Sequence, residues 1–324
     1  MSDDRQRGLA LRAQGDLAGA LTAFAAALAA EPEALDTQLY LGQTLVQLGR
    51  VTEGFAAITQ AAKRFHAGEG EAGPVSKQRH DAEQRDWLAA HGIAPAPGLH
   101  LEGGGQITRA INPANAAHVT QAWVESDPKI VVIDDLLTAD ALEGLRRFCF
   151  GSTMWRTWFE GGYVGAVPET GFACPLLAQI AEEFRETFPA IFGPHLLHYL
   201  WAFKYDPTLS GINVHADLAA LNINFWITPT EANLDPEHGG LVLWDKAAPL
   251  DWDFSRYNRD EAAIRDYLAT SGAKAVTVPY RANRAVLFDS DLFHATDSVR
   301  FTPGYENRRI NVTLLYGQRA ERRR

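Results

Sequence analysis

His215-Ala216-Asp217 sets an imidazole and a carboxylate two positions apart. Along an extended strand, side chains two apart point the same way, so this pair can present two donors to one ion. A histidine from elsewhere in the chain would complete a two-histidine, one-carboxylate facial triad. That donor set suits non-haem Fe(II), because it leaves one face of the octahedron open. The spacing alone says little, since the chain holds ten histidines and His100-Leu101-Glu102 repeats the pattern. Context separates the two pairs: His100 falls in a stretch rich in Pro and Gly, whereas His215 and Asp217 end an expected strand. Downstream, Ala285-Val286-Leu287-Phe288-Asp289 reads as another short strand, followed after Ser290-Asp291-Leu292-Phe293 by His294, the third candidate ligand. His195-x-x-His198 is discounted, because on an extended segment those two side chains face opposite ways.

The elements that must position these residues begin at Lys129. Ile130-Val131-Val132-Ile133 is a short apolar strand, and Thr138 caps a helix with Leu142, Leu145 and Phe148 on one face. A second helical stretch lies near 175 to 188. Strands then follow at about 197–205, 211–217, 220–228, 240–244, 274–279, 284–289 and 309–317, separated by Pro, Gly and Asn/Asp turns. Helices ahead of a run of antiparallel strands predict an α+β fold: a double-stranded β-helix, or jelly roll, with a helical buttress.

The N-terminal segment has a period of its own. A shift of 34 residues places Gly8 on Gly42, Leu11 on Leu45, Gly15 on Gly49, Phe24 on Ile58 and Ala27 on Ala61. These small, large and helix-breaking positions resemble the tetratricopeptide repeat, whose paired antiparallel helices need small residues where they cross. The resemblance covers residues 1–68 and implies a small all-α helical-repeat domain. Two repeats leave an apolar flank open, so a helix over 76–91, capped by Ser76 and ended by Gly92, is expected to close the stack. Pro95, Pro97 and Gly103-Gly104-Gly105 then mark a boundary. The expected organisation is 1–68 repeats, 69–104 capping helix and linker, and 105–324 jelly roll, with a chain beginning near Gly105 able to fold alone.

Taken in order, His215-x-Asp217, the distal His294 and Arg309-Ile310-Asn311-Val312-Thr313-Leu314-Leu315-Tyr316 opening a late strand resemble the Fe(II)/2-oxoglutarate-dependent dioxygenases of the prolyl-hydroxylase-like branch. The resemblance covers about residues 128 to 318 and includes Gly239-Gly240-Leu241 at the start of a strand. It implies that His215, Asp217 and His294 hold Fe(II), with 2-oxoglutarate and O2 at the remaining positions. The implied reaction hydroxylates an unactivated C–H bond of a peptidyl or amino-acid-like substrate and releases succinate and CO2.

The second carboxylate of 2-oxoglutarate calls for a buried cation, and arginine's planar fork can bind it bidentately. Arg309 is chosen over Arg308 because it shares the polar face of its strand with Asn311 and Thr313, whereas Arg308 lies with Ile310, Val312 and Leu314. Phe301 to Asn307 lengthens the interval from His294, which leaves Arg300 as a competitor. Asn222, Asn224 and Trp226 share one face of the strand after the ligand pair, the face that contacts the cosubstrate in the family. Tyr205 resembles a tyrosine that donates a hydrogen bond to 2-oxoglutarate. Trp155, Trp158 and Gly161-Gly162-Tyr163 are candidates for a substrate lid or, equally, for packing of the helical buttress, and His238 reads as a turn histidine in preference to a substrate contact.

Composition narrows the alternatives. A hydrophobic fraction of 46% with 22% charged residues suits a globular enzyme, and a net charge of −10 offers no basic surface for nucleic acid. Cys149 and Cys174 are too few for a disulfide framework or a thiolate zinc site. With no basic-then-apolar leader and no long apolar run, the expectation is a cytoplasmic protein without membrane partners. Its expected partners are a peptide, protein or amino-acid-like substrate, with protein recruitment or self-association through the repeats. The competing readings are a non-catalytic helical-repeat adaptor with a degenerate jelly roll, and a cupin-like metalloenzyme that does not use 2-oxoglutarate.

Overall fold

The computed structural model describes residues 3–65, 73–94, 98–209 and 212–319. Pro95, Pro97, Gly211 and most of the Arg319–Arg324 tail lie outside these residues, as do the ends of the expected 1–68 segment.

The 34-residue period folds as two helical hairpins, α1 (Asp3–Ala13) with α2 (Leu17–Ala30) and α3 (Leu35–Gln47) with α4 (Val51–Phe65). Gly15 and Gly49 take the same left-handed turn, each with φ of 82°, so the repeat is visible in the backbone as well as in the residue pattern. At the α3/α4 crossing a Cβ on Gly54 would sit 2.6 Å from the Gly42 carbonyl oxygen. Only glycine permits that approach.

α5 (Val75–Ala90) departs from expectation at its start and in its packing. Ser76 lies inside its first turn, and Pro74, at the capping position, offers no side-chain cap. Gly92 does take the left-handed position, with φ of 68°. The buried face of α5 is mostly polar, with His80 and Gln84 beside Leu88. Gln84 therefore bonds the carbonyls of Phe150 and Ser152, at 3.1 and 2.8 Å, and α5 docks on the barrel side of the molecule. The apolar face of α4, including Phe55, Ile58 and Ala62, is covered instead by α8 (Pro175–Thr187), and all of these belong to one core with Leu177 and Ile180. Thr59 Oγ1 adds a bond to the Ala173 carbonyl at 3.1 Å.

Between these helices lie α6 (Ala116–Glu125) and α7 (Ala139–Gly151), the latter capped by Thr138, which accepts from the Ala141 amide at 3.3 Å. α9 (Pro189–Phe192) follows α8, and the rings of Phe184, Phe192 and Tyr316 pack together against the large sheet. α10 (Phe254–Asn258) and α11 (Glu261–Thr270) lie in the connection between the eighth and ninth strands.

The strands are β1 (Ile130–Ile133), β2 (Thr157–Phe159), β3 (Tyr163–Ala166), β4 (Leu197–Tyr205), β5 (Thr208–Leu209), β6 (Ile212–His215), β7 (Leu221–Trp226), β8 (Leu241–Ala247), β9 (Ala275–Val278), β10 (Ala285–Asp289), β11 (Leu292–Thr296), β12 (Val299–Arg300) and β13 (Ile310–Tyr316). One seven-stranded sheet has the order β1-β10-β7-β13-β4-β3-β2, and a four-stranded sheet has the order β6-β11-β8-β9. From β4 onward the chain winds between the two: β4 in the large sheet, β6 in the small, β7 in the large, β8 and β9 in the small, β10 in the large, β11 in the small and β13 in the large. This is the double-stranded β-helix of an α+β molecule. The β2–β3 hairpin, the β5–β12 pair and β11 were not among the expected strands. They are short, and β11 follows β10 after only Ser290 and Asp291.

Candidate metal centre and cavity

β6 and β11 pair antiparallel with His215 and His294 as direct partners, and their ring centroids lie 4.4 Å apart. Asp217 reaches them from just beyond β6, held where its amide donates to the Ser290 carbonyl at 3.1 Å. The expected single strand carrying both His215 and Asp217 therefore ends at His215, and the turn brings the carboxylate around. Asp217 Oδ2 is 3.4 Å from His294 Nε2, and its Oδ1 is 3.9 Å from His215 Nε2. One donor atom from each residue falls within 4.8 Å of the other two.

Each imidazole is oriented by a backbone carbonyl two residues earlier: His215 Nδ1 to Asn213 at 2.8 Å and His294 Nδ1 to Leu292 at 3.0 Å. A carbonyl only accepts, so Nδ1 carries the hydrogen and Nε2 presents a lone pair. Burial and the neighbouring His294 hold the His215 imidazole below its ordinary pKa, against the opposing pull of Asp217. Burial alone would raise the Asp217 carboxyl, but its contacts with His294, His215 and the Asn222 amide outweigh it and hold it below the usual carboxylate range. Asn222 Nδ2 donates to Asp217 Oδ2 at 2.8 Å. Two bare imidazole nitrogens and one ionised carboxylate around a common point fit a hard divalent ion with open positions.

The triad opens onto a cavity of about 690 Å³ between the sheets. The register of β7, β13 and β4 lays out its floor in rows: Asn222, Leu315 and Tyr199; then Asn224, Thr313 and Trp201; then Asn311 and Phe203. Asn222, Asn224, Asn311, Thr313 and Tyr205 all line the cavity. Asn224 Nδ2 bonds Thr313 Oγ1 at 2.8 Å, and Asn311 Nδ2 approaches the same oxygen at 3.3 Å. The Oδ1 atoms of Asn222 and Asn224 are buried without a protein partner. Buried polar atoms are rarely left so, and these two border open space.

Arg309 is fully buried at the end of this polar row. Its Nε donates to the Gly239 carbonyl at 2.6 Å, and Nη1 and Nη2 reach Asn311 Oδ1 and the Gly240 carbonyl, each at 3.2 Å. The rings of Tyr205 and Trp226 flank it at 4.6 and 5.6 Å. Among the described residues no carboxylate lies within ion-pair distance of it. The guanidinium sits behind Asn311 and does not itself line the cavity. Arg308 is also buried but pairs with Glu83 and Asp206, tying α5 to the barrel. Arg300 is exposed.

Other candidates separate as clearly. Trp226 shares the face of the asparagines but is buried beside Tyr280 and Arg309, outside the cavity lining. Tyr205 bends its hydroxyl toward Thr296 Oγ1, 3.5 Å away. Trp155 is buried and bonds the Cys149 carbonyl at 2.8 Å, which removes it from any lid, whereas Tyr163 does line the cavity. His198 lines the cavity and His195 does not; His238 pairs with Asp297 at 2.9 Å outside it. Sequence reading missed the aromatic wall of Tyr199, Trp201 and Phe203, although its period of two along β4 was there to be read. It also missed α10, where Ala216 N–H donates to the Tyr257 carbonyl at 2.9 Å and Asn258 Nδ2 donates to the Ala216 carbonyl at 2.8 Å.

In comparisons with known proteins, the tetratricopeptide repeat family matches residues 11–66. No curated protein matches the chain. Among solved structures it is similar to the non-haem alpha-ketoglutarate-dependent epimerase SnoN from nogalamycin biosynthesis, at 13% identity over 64% of this chain and 84% of that one, with a TM-score of 0.45. It is also similar to HygX from Streptomyces hygroscopicus with nickel and 2-oxoglutarate bound, at 16% identity, 61% and 86% coverage and a TM-score of 0.41. A Pseudomonas putida prolyl-4-hydroxylase is similar at 14% identity, 63% and 99% coverage and a TM-score of 0.40.

Proposed function

We propose that the chain is an Fe(II)- and 2-oxoglutarate-dependent oxygenase that hydroxylates a C–H bond of an amino-acid-like or peptidyl substrate. One observation carries the reading. Two oriented imidazoles and an ionised carboxylate converge on the same cavity as a polar row that ends in a buried arginine without a carboxylate partner.

His215, Asp217 and His294 would hold the iron, which with 2-oxoglutarate and O2 supplies the oxidising power while succinate and CO2 leave. The chain's own residues orient and exclude. Asn213 and Leu292 lock the imidazole tautomers, and Asn222 fixes the carboxylate. The free Oδ1 of Asn222 and the amide of Asn224 are available to a bound ligand or water. Thr313 takes hydrogen bonds from two asparagines, which leaves its own hydroxyl hydrogen to donate. Arg309 supplies fixed positive charge at the inner end, where the distal carboxylate of 2-oxoglutarate would displace part of the Asn311 contact.

The test is succinate formation from 2-oxoglutarate with Fe(II) and O2, measured alongside calorimetric titration of 2-oxoglutarate into the Ni(II)-loaded protein. No binding and no succinate in a folded, metal-loaded sample would sink the proposal.

A further inference from the structure

The cavity has a second half that the polar row does not use. β4 points Tyr199, Trp201 and Phe203 into it, with successive ring centroids 6.1 and 6.2 Å apart. The β2–β3 hairpin extends this wall with Phe159 and Tyr163, stacked at 4.4 Å, and Phe159 meets Phe203 edge-on at 5.4 Å. By register Trp201 neighbours Thr313 and Phe203 neighbours Asn311, so the aromatic wall begins one strand, about 5 Å, from the polar row. Ring faces and edges bind flat apolar groups well and hydrated polar chains poorly.

Charge supplies the rest. Of the lining side chains that are charged at neutral pH, Asp217 is committed to the metal centre with His215 and His294, which leaves Arg259, with His198 as the one further titratable imidazole of the lining. Arg259 is exposed, packs over the Phe254 ring at 5.5 Å and has no carboxylate partner among the described residues. It follows directly on Asn258, whose bond to the Ala216 carbonyl pins α10 to the segment between His215 and Asp217. The free cation is thereby held on the rim that carries the metal ligands. On the opposite approach, the Tyr199 hydroxyl donates to Glu169 Oε2 at 2.8 Å, and Glu169 also accepts from Gln43 of α3. The repeat helices thus reach that edge through Gln43, which shares Glu169 with the Tyr199 hydroxyl.

Resting on the reading of the polar row as the cosubstrate's place, we infer that the aromatic half is the substrate site. This narrows the substrate away from a peptide: the ligand is a small aromatic or planar apolar molecule bearing an anionic group, with the body on Trp201 and Phe203 and the anion on Arg259. A cavity of about 690 Å³ is of the size that holds small molecules.

The test titrates 3-phenylpropionate, its uncharged amide and an acidic hexapeptide by calorimetry into protein loaded with Ni(II) and saturating 2-oxoglutarate, so that the polar half is filled. The acid is expected to bind at least about tenfold more tightly than the amide, and Arg259→Gln to remove that advantage. Trp201→Ala is expected to weaken acid and amide alike. Equal affinity for acid and amide, an unchanged acid affinity in Arg259→Gln, or preference for the peptide would overturn the proposal. Failure of 2-oxoglutarate itself to bind would count against the cosubstrate reading alone. Arg259-dependent binding of the acid to the Ni(II) protein would then still uphold the aromatic site.

Discussion

His215 and His294 stand opposite one another across the β6–β11 pair, each with Nδ1 turned back onto the carbonyl two residues before it. Two imidazoles so oriented lose little freedom on binding an ion, and each is needed. His215→Ala is expected to abolish stoichiometric Ni(II) or Co(II) binding while circular dichroism and the urea midpoint stay near wild type, because His215 is at a strand end and only partly buried. Metal retained at wild-type affinity would refute the assigned centre.

Arg308 and Arg309 are adjacent in sequence and opposite in use, which makes them a matched pair. Arg309→Ala is expected to raise the dissociation constant of 2-oxoglutarate by roughly two to three orders of magnitude, since an unpaired buried carboxylate costs about 3–5 kcal/mol. Arg308→Ala should leave that constant nearly unchanged and instead lower the urea midpoint, because Glu83 and Asp206 lose their shared partner. A large effect on cosubstrate at Arg308 and none at Arg309 would reverse the assignment.

His80 predicts an acid lability. Burial lowers its imidazole to about 3, with only the Asp81 contact working to raise it. The unfolded chain binds a proton near the ordinary histidine value of about 6.5, while the folded chain refuses it until far lower pH. Stability contributed by neutral His80 is therefore present above pH of about 6.5 and is lost progressively as pH falls below it. Between about pH 7 and 5 the loss should reach up to about 2 kcal/mol. Urea titrations of wild type and His80→Phe at both pH values check this; equal pH dependence in the two would refute it.

We propose that the repeat pattern ends at residue 68 and the jelly roll begins at 105. The shared core of α4 and α8 gives that division a consequence. Ile58 is 1% exposed, and Ile58→Ala is expected to cost about 2–5 kcal/mol in unfolding followed at the barrel's aromatic residues. Against the expectation from sequence that a chain beginning near Gly105 folds alone, such a chain should bare the apolar face of α8, which shares a core with α4, and elute as aggregate in size-exclusion chromatography. A monomeric, cooperatively folding product would show that the barrel stands alone.

What local residue patterns encode was legible before any coordinates. The 34-residue period, the apolar strands from Ile130 and Leu197, and the parity that separates Arg309 from Arg308 follow from side-chain periods of 3.6 and 2, which act over a few residues. His215 and His294 could be named from their contexts. Their direct pairing could not, because antiparallel register is set by strands 79 positions apart in numbering, from 215 to 294. The same limit hid the partner of α4. Its apolar face demanded a cover, yet α8 rather than α5 supplies it, since α5 buries polar side chains that find their bonds on the barrel. Burial decided the remainder: Trp155 is enclosed in the core while Trp201, equally apolar in sequence, faces the cavity. Which of two like side chains meets open space depends on what packs above it, and only the assembled sheets and helices determine that.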